Sequence, residues 1–389
     1  MAEAIVIGGG VMGLAAARDL RRRGHSVTLL ERAQPGRAAS WASAGIIGAT
    51  LRDESDPSFH LRRVSRALWP AFAEAIHAES GMDPEYREIG CLQLASDSHE
   101  LAQLQHAAQT QTARAAAPQA DSSAQQPQGR TDQFELLDPA QLVALEPALS
   151  PALLGGLLVP GGNVDNRRLC KALEIAARRA GVQIEPGVEV TAIVSAGGQV
   201  QGVEVNASGG RSRTADLVVL AAGAWSANIQ NVSPSPPVAP QRGQILALDQ
   251  SSVGIRHVLL TPGDPYFVPR CDGRLVIGAT REAAGWDPSL TAGGIAWLLN
   301  RAMQVVPALQ DCPIAEMWTG FRPLSPDGLP LIGKGAIDGL YVLTGHGPSG
   351  IAPLPGSIAL LMALIHGDNP PLPPEPFSPL RFERNKIRR

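Results

Sequence analysis

Apolar residues in this chain fall into two kinds of run, and the two alternate from the start. Ala4 to Ile7 is short, continuous and apolar up to Gly8, the pattern of a strand buried on both faces of a parallel sheet. Leu14, Ala17 and Leu20 then recur at helical spacing. Arg21 to Arg23 put cations at the negative end of that helix, and Gly24 ends it. Ser26 to Leu30 predicts a second strand. From Asp56 to Gly81 the apolar positions Leu61, Val64, Leu68, Phe72 and Ile76 predict a long helix. Arg87 to Leu94 predicts a strand entering another region. Ser98 to Gln133 begins as a helix and dissolves into Ala, Gln, Pro, Ser and Gly. Ala115 to Arg130 has almost no large apolar residue to offset its ordering entropy, so a mobile loop is expected there.

Further on, Asp138 is placed to cap a helix whose first residue is Pro139, and Gly155 to Val159 predicts a strand. A helix over Asn166 to Ala180 ends at Gly181. Three short strands follow, Val182 to Glu185, Val188 to Val194 and Val200 to Asn206. Asp216 to Leu220 is again a continuous apolar strand, running into the small residues of Ala221 to Ala224, and it returns the chain to the first sheet. The proline-rich Ser233 to Pro240 marks a crossing into a second region. There Arg242 to Ala247, His257 to Leu260, Pro265 to Arg270 and Arg274 to Thr280 predict an antiparallel sheet. Ala292 to Val306 predicts a helix across it, and Ala315 to Pro323 a strand leading back. Leu354 to Ile365 is the most apolar late run, but its length and Pro355 predict a buried helix rather than a membrane span.

Composition narrows the function classes. With 33 basic against 36 acidic residues, net charge -3, nothing marks a nucleic-acid partner or a polybasic membrane patch. Cys91, Cys170, Cys271 and Cys312 lack metal or disulfide spacing and read as free thiols, so no metal site is expected. The four apolar residues at the start serve as a strand rather than a signal peptide, which makes the cytoplasm the default compartment.

The candidate chemistry begins at Gly8-Gly9-Gly10-Val11-Met12-Gly13, directly between the first strand and helix. In such a run Gly8 permits the tight turn, Gly10 lets a pyrophosphate approach the backbone, and Gly13 lets helix and strand pack closely. The helix start, from Val11 and Met12, offers its amides and positive dipole end to the anion. Glu31, twenty-three residues after Gly8 at the end of the second strand, is placed to accept both ribose hydroxyls of an adenosine, with Arg32 beside it. An acid there repels a 2′-phosphate, so NADP is disfavoured. FAD and NAD both fit this unit.

The next segment, Ser40-Trp41-Ala42-Ser43-Ala44-Gly45-Ile46 and on to Ala49, is small, apolar and glycine-punctuated. It resembles the stretch that FAD-dependent oxidases of the glycine oxidase and D-amino acid oxidase family run past the pyrophosphate towards the isoalloxazine. Trp318 to Pro323, Pro326 to Gly333, Gly339 to Tyr341 and Thr344-Gly345-His346-Gly347-Pro348-Ser349-Gly350-Ile351 follow in the order and spacing of that family, as does Gly273 to Thr280. The resemblance covers nearly the whole chain except Ala115 to Arg130 and the tail after Asp368, and is nearest to the glycine oxidases of thiamine biosynthesis.

The resemblance implies an α/β fold with two discontinuous units. A Rossmann-like FAD-binding domain with a parallel sheet takes residues 1–88, 161–236 and 320–367. An antiparallel-sheet substrate domain takes 89–160 and 237–319, and 368–389 forms a tail. It implies noncovalent FAD. Further contacts fall to Val190, Ala222, Gly223, Trp225, Arg322, His346 and the Gly347 to Ile351 turn, in addition to Ser40, Ser43, Ala44, Gly45 and Ile46. A helix beginning near Ser349 would present its amides to the reduced flavin. Arg322 would hold a substrate carboxylate with its guanidinium fork, and Tyr266 would add a hydrogen bond. The implied reaction is oxidation of glycine, sarcosine or a small D-amino acid to an imine and then an oxo acid, with ammonia and hydrogen peroxide released. Pro348 departs from the pattern, since glycine oxidases carry an arginine in that loop. That keeps a D-amino or N-alkyl amino acid dehydrogenase with a non-oxygen acceptor open as the alternative. A hydroxy-acid oxidase and a flavoprotein without turnover stay open too, as does assembly into a homo-oligomer. Glu316 stands near the position of the cysteine that attaches flavin in sarcosine oxidases, with Cys312 four residues earlier, so covalent attachment is not expected.

Overall fold

The structure is a computed structural model describing residues 2–48, 54–116, 134–206, 211–263 and 265–384. Most of the expected loop from Ala115 to Arg130, together with Ala49, lies outside the described residues.

The fold is α/β, as expected, and is organised by two large sheets. The first has the spatial order Leu331–Lys334, Leu340–Thr344, Leu217–Leu220, Glu3–Ile7, Ser26–Glu31 and Gln183–Pro186. Its neighbours are parallel except the outermost pair, Leu331–Lys334 with Leu340–Thr344. Both faces are covered, which explains the uninterrupted apolar strands. Ala4 and Val6 point into a core shared with the helices Val11–Arg22, Pro57–Ser80, Asn166–Arg179 and Leu354–His366. Ile5 and Ile7 point the other way, against a three-stranded sheet built from Val190–Ala196, Gln199–Val205 and Arg211–Thr214.

The second sheet has eight strands in the order Ile314–Leu324, Ala239–Asp249, Arg274–Gly278, Tyr266–Pro269, Val258–Leu260, Cys91–Ala95, Gly155–Val159 and Glu135–Leu137. It is antiparallel as expected, with one correction: Val258–Leu260 runs parallel to Cys91–Ala95. Those strands are far apart in sequence, and nothing local sets their relative direction. One face packs under the helix Ala292–Val305 through Leu246, Leu248, Leu275 and Ile277. The other carries Ile245, Val276 and Trp318 towards Ala42, Ala44 and Ile46 of the first unit. The strand Ile314–Leu324 continues past residue 320, so the boundary expected at 319/320 falls inside it.

Helix ends follow local chemistry. Asp56 accepts from the Ser58 amide and Gly81 takes a left-handed φ of 72°, which fixes both ends of Pro57–Ser80. Asp138 and Gln141 cap each other's ends of Pro139–Leu145 reciprocally. The face of the long helix differs by one position from expectation. Trp69 is fully buried and bonds the Ala352 carbonyl at 2.8 Å, while Leu68 is 38% exposed.

Candidate active site

A cavity of about 910 Å³ lies between the two sheets, near the upper end of the ~300–1,000 Å³ range of small-molecule sites. Gly8, Gly10, Val11 and Met12 line one part of it. Gly8 has φ 103°, and a Cβ there would stand 2.5 Å from the Ala221 carbonyl oxygen, so only glycine lets the two strand ends close the floor. Gly13 does not line the cavity. Its Cβ would fall 1.9 Å from the Gly8 carbonyl oxygen, so its place is helix-to-strand packing, the role its position in the glycine run predicts. The Glu31 carboxylate lines the wall and accepts from the Gly9 amide at 2.6 Å and the Ala33 amide at 2.9 Å. Charge-assisted bonds of this kind fix both the acid and the glycine turn.

Around this end stand Arg32, Val190, Ala222, Gly223 and Trp225. The Arg32 guanidinium lies 3.7 Å from the centre of the Trp225 ring. Trp286 stacks on the same ring at 4.6 Å and 24°, reaching across from the second sheet's unit. Ser40, Ser43, Ala44, Gly45 and Ile46 carry the lining onward. Their path is fixed from outside: buried Arg270 donates to the Ala44 carbonyl at 2.9 Å, to Val164 O at 2.8 Å and to Asn166 Oδ1 at 2.8 Å. The Ser40 hydroxyl accepts from the Val11 amide at 3.1 Å.

His346, Gly347, Pro348, Ser349, Gly350 and Ile351 form the facing wall. The expected helix start near Ser349 is corrected here. Gly347–Ser349 is a 3-10 turn, and the helix begins only at Leu354. Pro353 disfavours helical geometry at Ala352, which delays the start. Buried His346 pairs through Nε2 with Ser357 Oγ at 3.1 Å, tying the turn to that helix. Burial lowers its pKa from 6.5 to about 3. A histidine folded with a depressed pKa contributes stability that is present above its unfolded pKa and lost as pH falls through the folded one. From pH 6.5 towards 3, His346 should therefore cost roughly 1.4 kcal/mol of stability per pH unit. Urea unfolding across that window should slope less steeply in His346→Gln than in the parent protein, and equal slopes would contradict the assignment.

The remaining wall is the inner face of the eight-stranded sheet, where Gln93, Leu260, Tyr266, Ile245, Gly243 and Arg322 line the cavity. Tyr266 lies across Gly278, whose Cβ would meet the Tyr266 hydroxyl at 2.7 Å. Arg322 Nη1 donates to the Thr280 carbonyl at 2.9 Å and the Arg242 carbonyl at 3.5 Å. Among the described residues Arg322 has no carboxylate partner, which leaves a cation on the cavity wall for a ligand to neutralise.

The structure thus brings Arg322, Tyr266 and the expected contact residues to one cavity, with Gly13 packed behind them between helix and strand. Sequence reasoning missed Gln93, Gly243, Gly278, Arg281 and Trp286. For Gly243 a signal existed: in Arg242 to Leu248 a polar pair, Arg242 and Gln244, shares one strand face with Leu246 and Leu248. Glu316 lies outside the cavity in an ion pair with Arg167 at 2.7 Å, and Cys312 is buried on the helix-covered face. Among the described residues no cluster of acids, histidines and cysteines could hold a metal ion, and no helix is long and apolar enough to cross a membrane.

A dinucleotide fits these residues. The side-chain-free turn at Gly8 to Gly10 would take the pyrophosphate, Glu31 the ribose, and the stretch from Ser43 to the Gly347 turn a flat ring system. The comparisons point the same way. Residues 3–364 match the model of the DAO family of FAD-dependent oxidoreductases. The glycine oxidase of Pseudomonas aeruginosa is 32% identical over 380 residues, covering 96% of this chain and 98% of that protein. The bifunctional protein ThiO/ThiG of Synechocystis sp. is 34% identical across 98% of this chain, which spans about half, 54%, of that longer protein. The crystal structure of glycine oxidase from Geobacillus kaustophilus superposes with a TM-score of 0.86 at 30% identity, covering 97% of this chain and 98% of that one. With its nucleotide unit, its two sheets and the cavity between them, this chain belongs to the DAO family of FAD-dependent oxidoreductases.

Proposed function

We propose that the chain is an amino acid oxidase that acts on glycine or another small amine-bearing acid such as sarcosine or a small D-amino acid. The observation that carries this reading is Arg322, a cavity-lining guanidinium held by two carbonyls and without a carboxylate partner among the described residues. A planar fork of this kind matches two carboxylate oxygens. Tyr266, on the neighbouring part of the sheet, would donate to the same carboxylate.

FAD, when bound, supplies the hydride acceptor. The chain's own residues do the rest. Arg322 and Tyr266 fix one end of the substrate, which sets the amine-bearing carbon against the ring site, and orientation accounts for much of the rate. With the amine neutral, its carbon gives up a hydride. The resulting iminium loses a proton, water converts the imine to an oxo acid and ammonia (methylamine from sarcosine), and oxygen takes up the two electrons and two protons to leave as hydrogen peroxide. Noncovalent binding is supported by the absence of any cysteine from the cavity lining among the described residues, and by the Ser357 partner of His346. Pro348, exposed on the cavity wall, supports a second reading in which an acceptor other than oxygen takes the electrons.

An anaerobic titration of the yellow protein with glycine, sarcosine, D-alanine, D-proline and glycolate tests this. Bleaching of the visible flavin band by an amino acid, reversed by air with peroxide formed, is the expected outcome. Bleaching by glycolate alone, or by nothing, would overturn it. Slow reversal in air would favour the dehydrogenase.

A further inference from the structure

We propose that Arg242, Gln244 and Glu282 are positioning residues for the substrate carboxylate, acting through Arg322, and that Gly243 is the seat on which its guanidinium lies. This rests on the reading of Arg322 as the carboxylate anchor. None of the three polar side chains lines the cavity.

The argument starts from the period of a strand. Along Ala239–Asp249 successive side chains point to opposite faces, so Gly243 and Ile245 face the cavity while Arg242 and Gln244 face the helix-covered side. Residues 280–282 extend the ladder beside them. Arg242 N donates to Glu282 O and Glu282 N to Arg242 O, each at 3.0 Å, and Thr280 N donates to Gln244 O at 3.2 Å. The carbonyls that receive Arg322 Nη1, those of Thr280 and Arg242, belong to this short ladder.

Beneath the ladder the Glu282 carboxylate joins its strands. One oxygen accepts from Arg242 Nε at 3.0 Å and from Arg242 Nη2. The other accepts from Gln244 Nε2 at 2.8 Å and from the Thr280 hydroxyl. Arg242 also reaches Asp287 at 2.6 Å, and Gln244 is tied to Thr291, the cap of the helix Ala292–Val305. Arg242 and Gln244 are buried, so this charge is worth keeping only where each group is fully paired. Stiffness at the two carbonyls is what the pairing provides. A long arginine stem reaches many positions, and two-oxygen recognition needs the fork within about 10–20° of one plane.

Gly243 completes the seat. Its backbone does not adopt the positive φ that would itself call for glycine. A Cβ there would fall 2.6 Å from Arg322 Nη2, 2.7 Å from Nη1 and 2.8 Å from Cζ. Glycine inside a strand is unfavourable unless something must approach the backbone closely, and here that is the guanidinium.

The test uses the full-length flavin-loaded protein and its Glu282→Gln and Gly243→Ala variants. Acetate binding is read from the perturbed flavin spectrum, KM and kcat from the best amino acid substrate, and flavin content and unfolding temperature serve as controls. Both variants should raise the acetate Kd and KM by about 10-fold, a scale typical of small misplacements in a site. Flavin should stay bound and kcat should change much less. Variants that bind acetate within twofold of the parent overturn the proposal, as does a fall in flavin content or unfolding temperature with unchanged acetate affinity. A parent protein that binds no carboxylate overturns the reading of Arg322 and this inference together, which separates the two failures. If Glu282→Gln does not fold, Gly243→Ala decides, because its new methyl meets only the end of a flexible side chain.

Discussion

Replacing Arg322 with alanine should weaken substrate binding by roughly 10²-fold or more and leave FAD in place. Truncating one member of a desolvated charge pair typically costs ~2–5 kcal/mol, much of it from leaving the other charge without its partner. In this chain the charge left without its guanidinium fork would be the substrate carboxylate. The Thr280 carbonyl would also lose the Nη1 donor, while the Arg242 carbonyl would keep the Glu282 amide. Arg322→Lys should recover only part of the loss, because an ammonium cannot bond Thr280 O and meet two carboxylate oxygens in one plane. Half-reduction of the flavin against substrate concentration, measured without oxygen, checks this. A midpoint within threefold of the parent value would remove Arg322 from carboxylate recognition.

Replacing Glu31 with alanine should act on the cofactor, by a comparable factor. The carboxylate takes the Gly9 and Ala33 amides at 2.6 and 2.9 Å, so it shapes the glycine turn as well as facing the ribose position. Charge-assisted bonds of this sort are worth ~1.5–3 kcal/mol each. Losing them together with the ribose contact should lower FAD affinity by about 10²-fold. Titrating the apoprotein with FAD and following flavin fluorescence gives the number. The two variants should separate cleanly: Glu31→Ala lowers FAD affinity and Arg322→Ala does not. A Glu31→Ala protein that holds FAD as tightly as its parent would mean that the turn is kept by packing at Gly8 and Gly13 alone.

Much of the cavity was legible because its chemistry sits in contiguous stretches. Strand, glycine turn, helix, strand and Glu31 occupy residues 3 to 31 without interruption, and each step is set by neighbours in the chain. Helix limits were legible for the same reason at Asp56, Gly81 and Asp138, where caps are local. The start of the helix Leu354–His366 is also written in the sequence, in Pro353 and Pro355. Leu68 shows the limit of periodicity. Along Pro57–Ser80 the buried stripe is decided by Gly356 and Ala352 of a distant segment, which receive Ser65 and Trp69.

The sequence by itself determined the local elements, the glycine turn and the family, and it singled out Arg322 and Tyr266, the two side chains proposed to meet a carboxylate. Tertiary structure alone decided what holds them. Register between the strands Ala239–Asp249 and Ile314–Leu324 sets Arg322 opposite Gln241, one residue past the Phe321 and Arg242 pair, so its fork comes to rest over Gly243. Glu282, the Thr280 carbonyl and Arg242 meet there from segments some forty residues apart. A sheet satisfies its backbone bonds in several registers, and only packing of both faces at once selects one, so no local pattern could announce the seat.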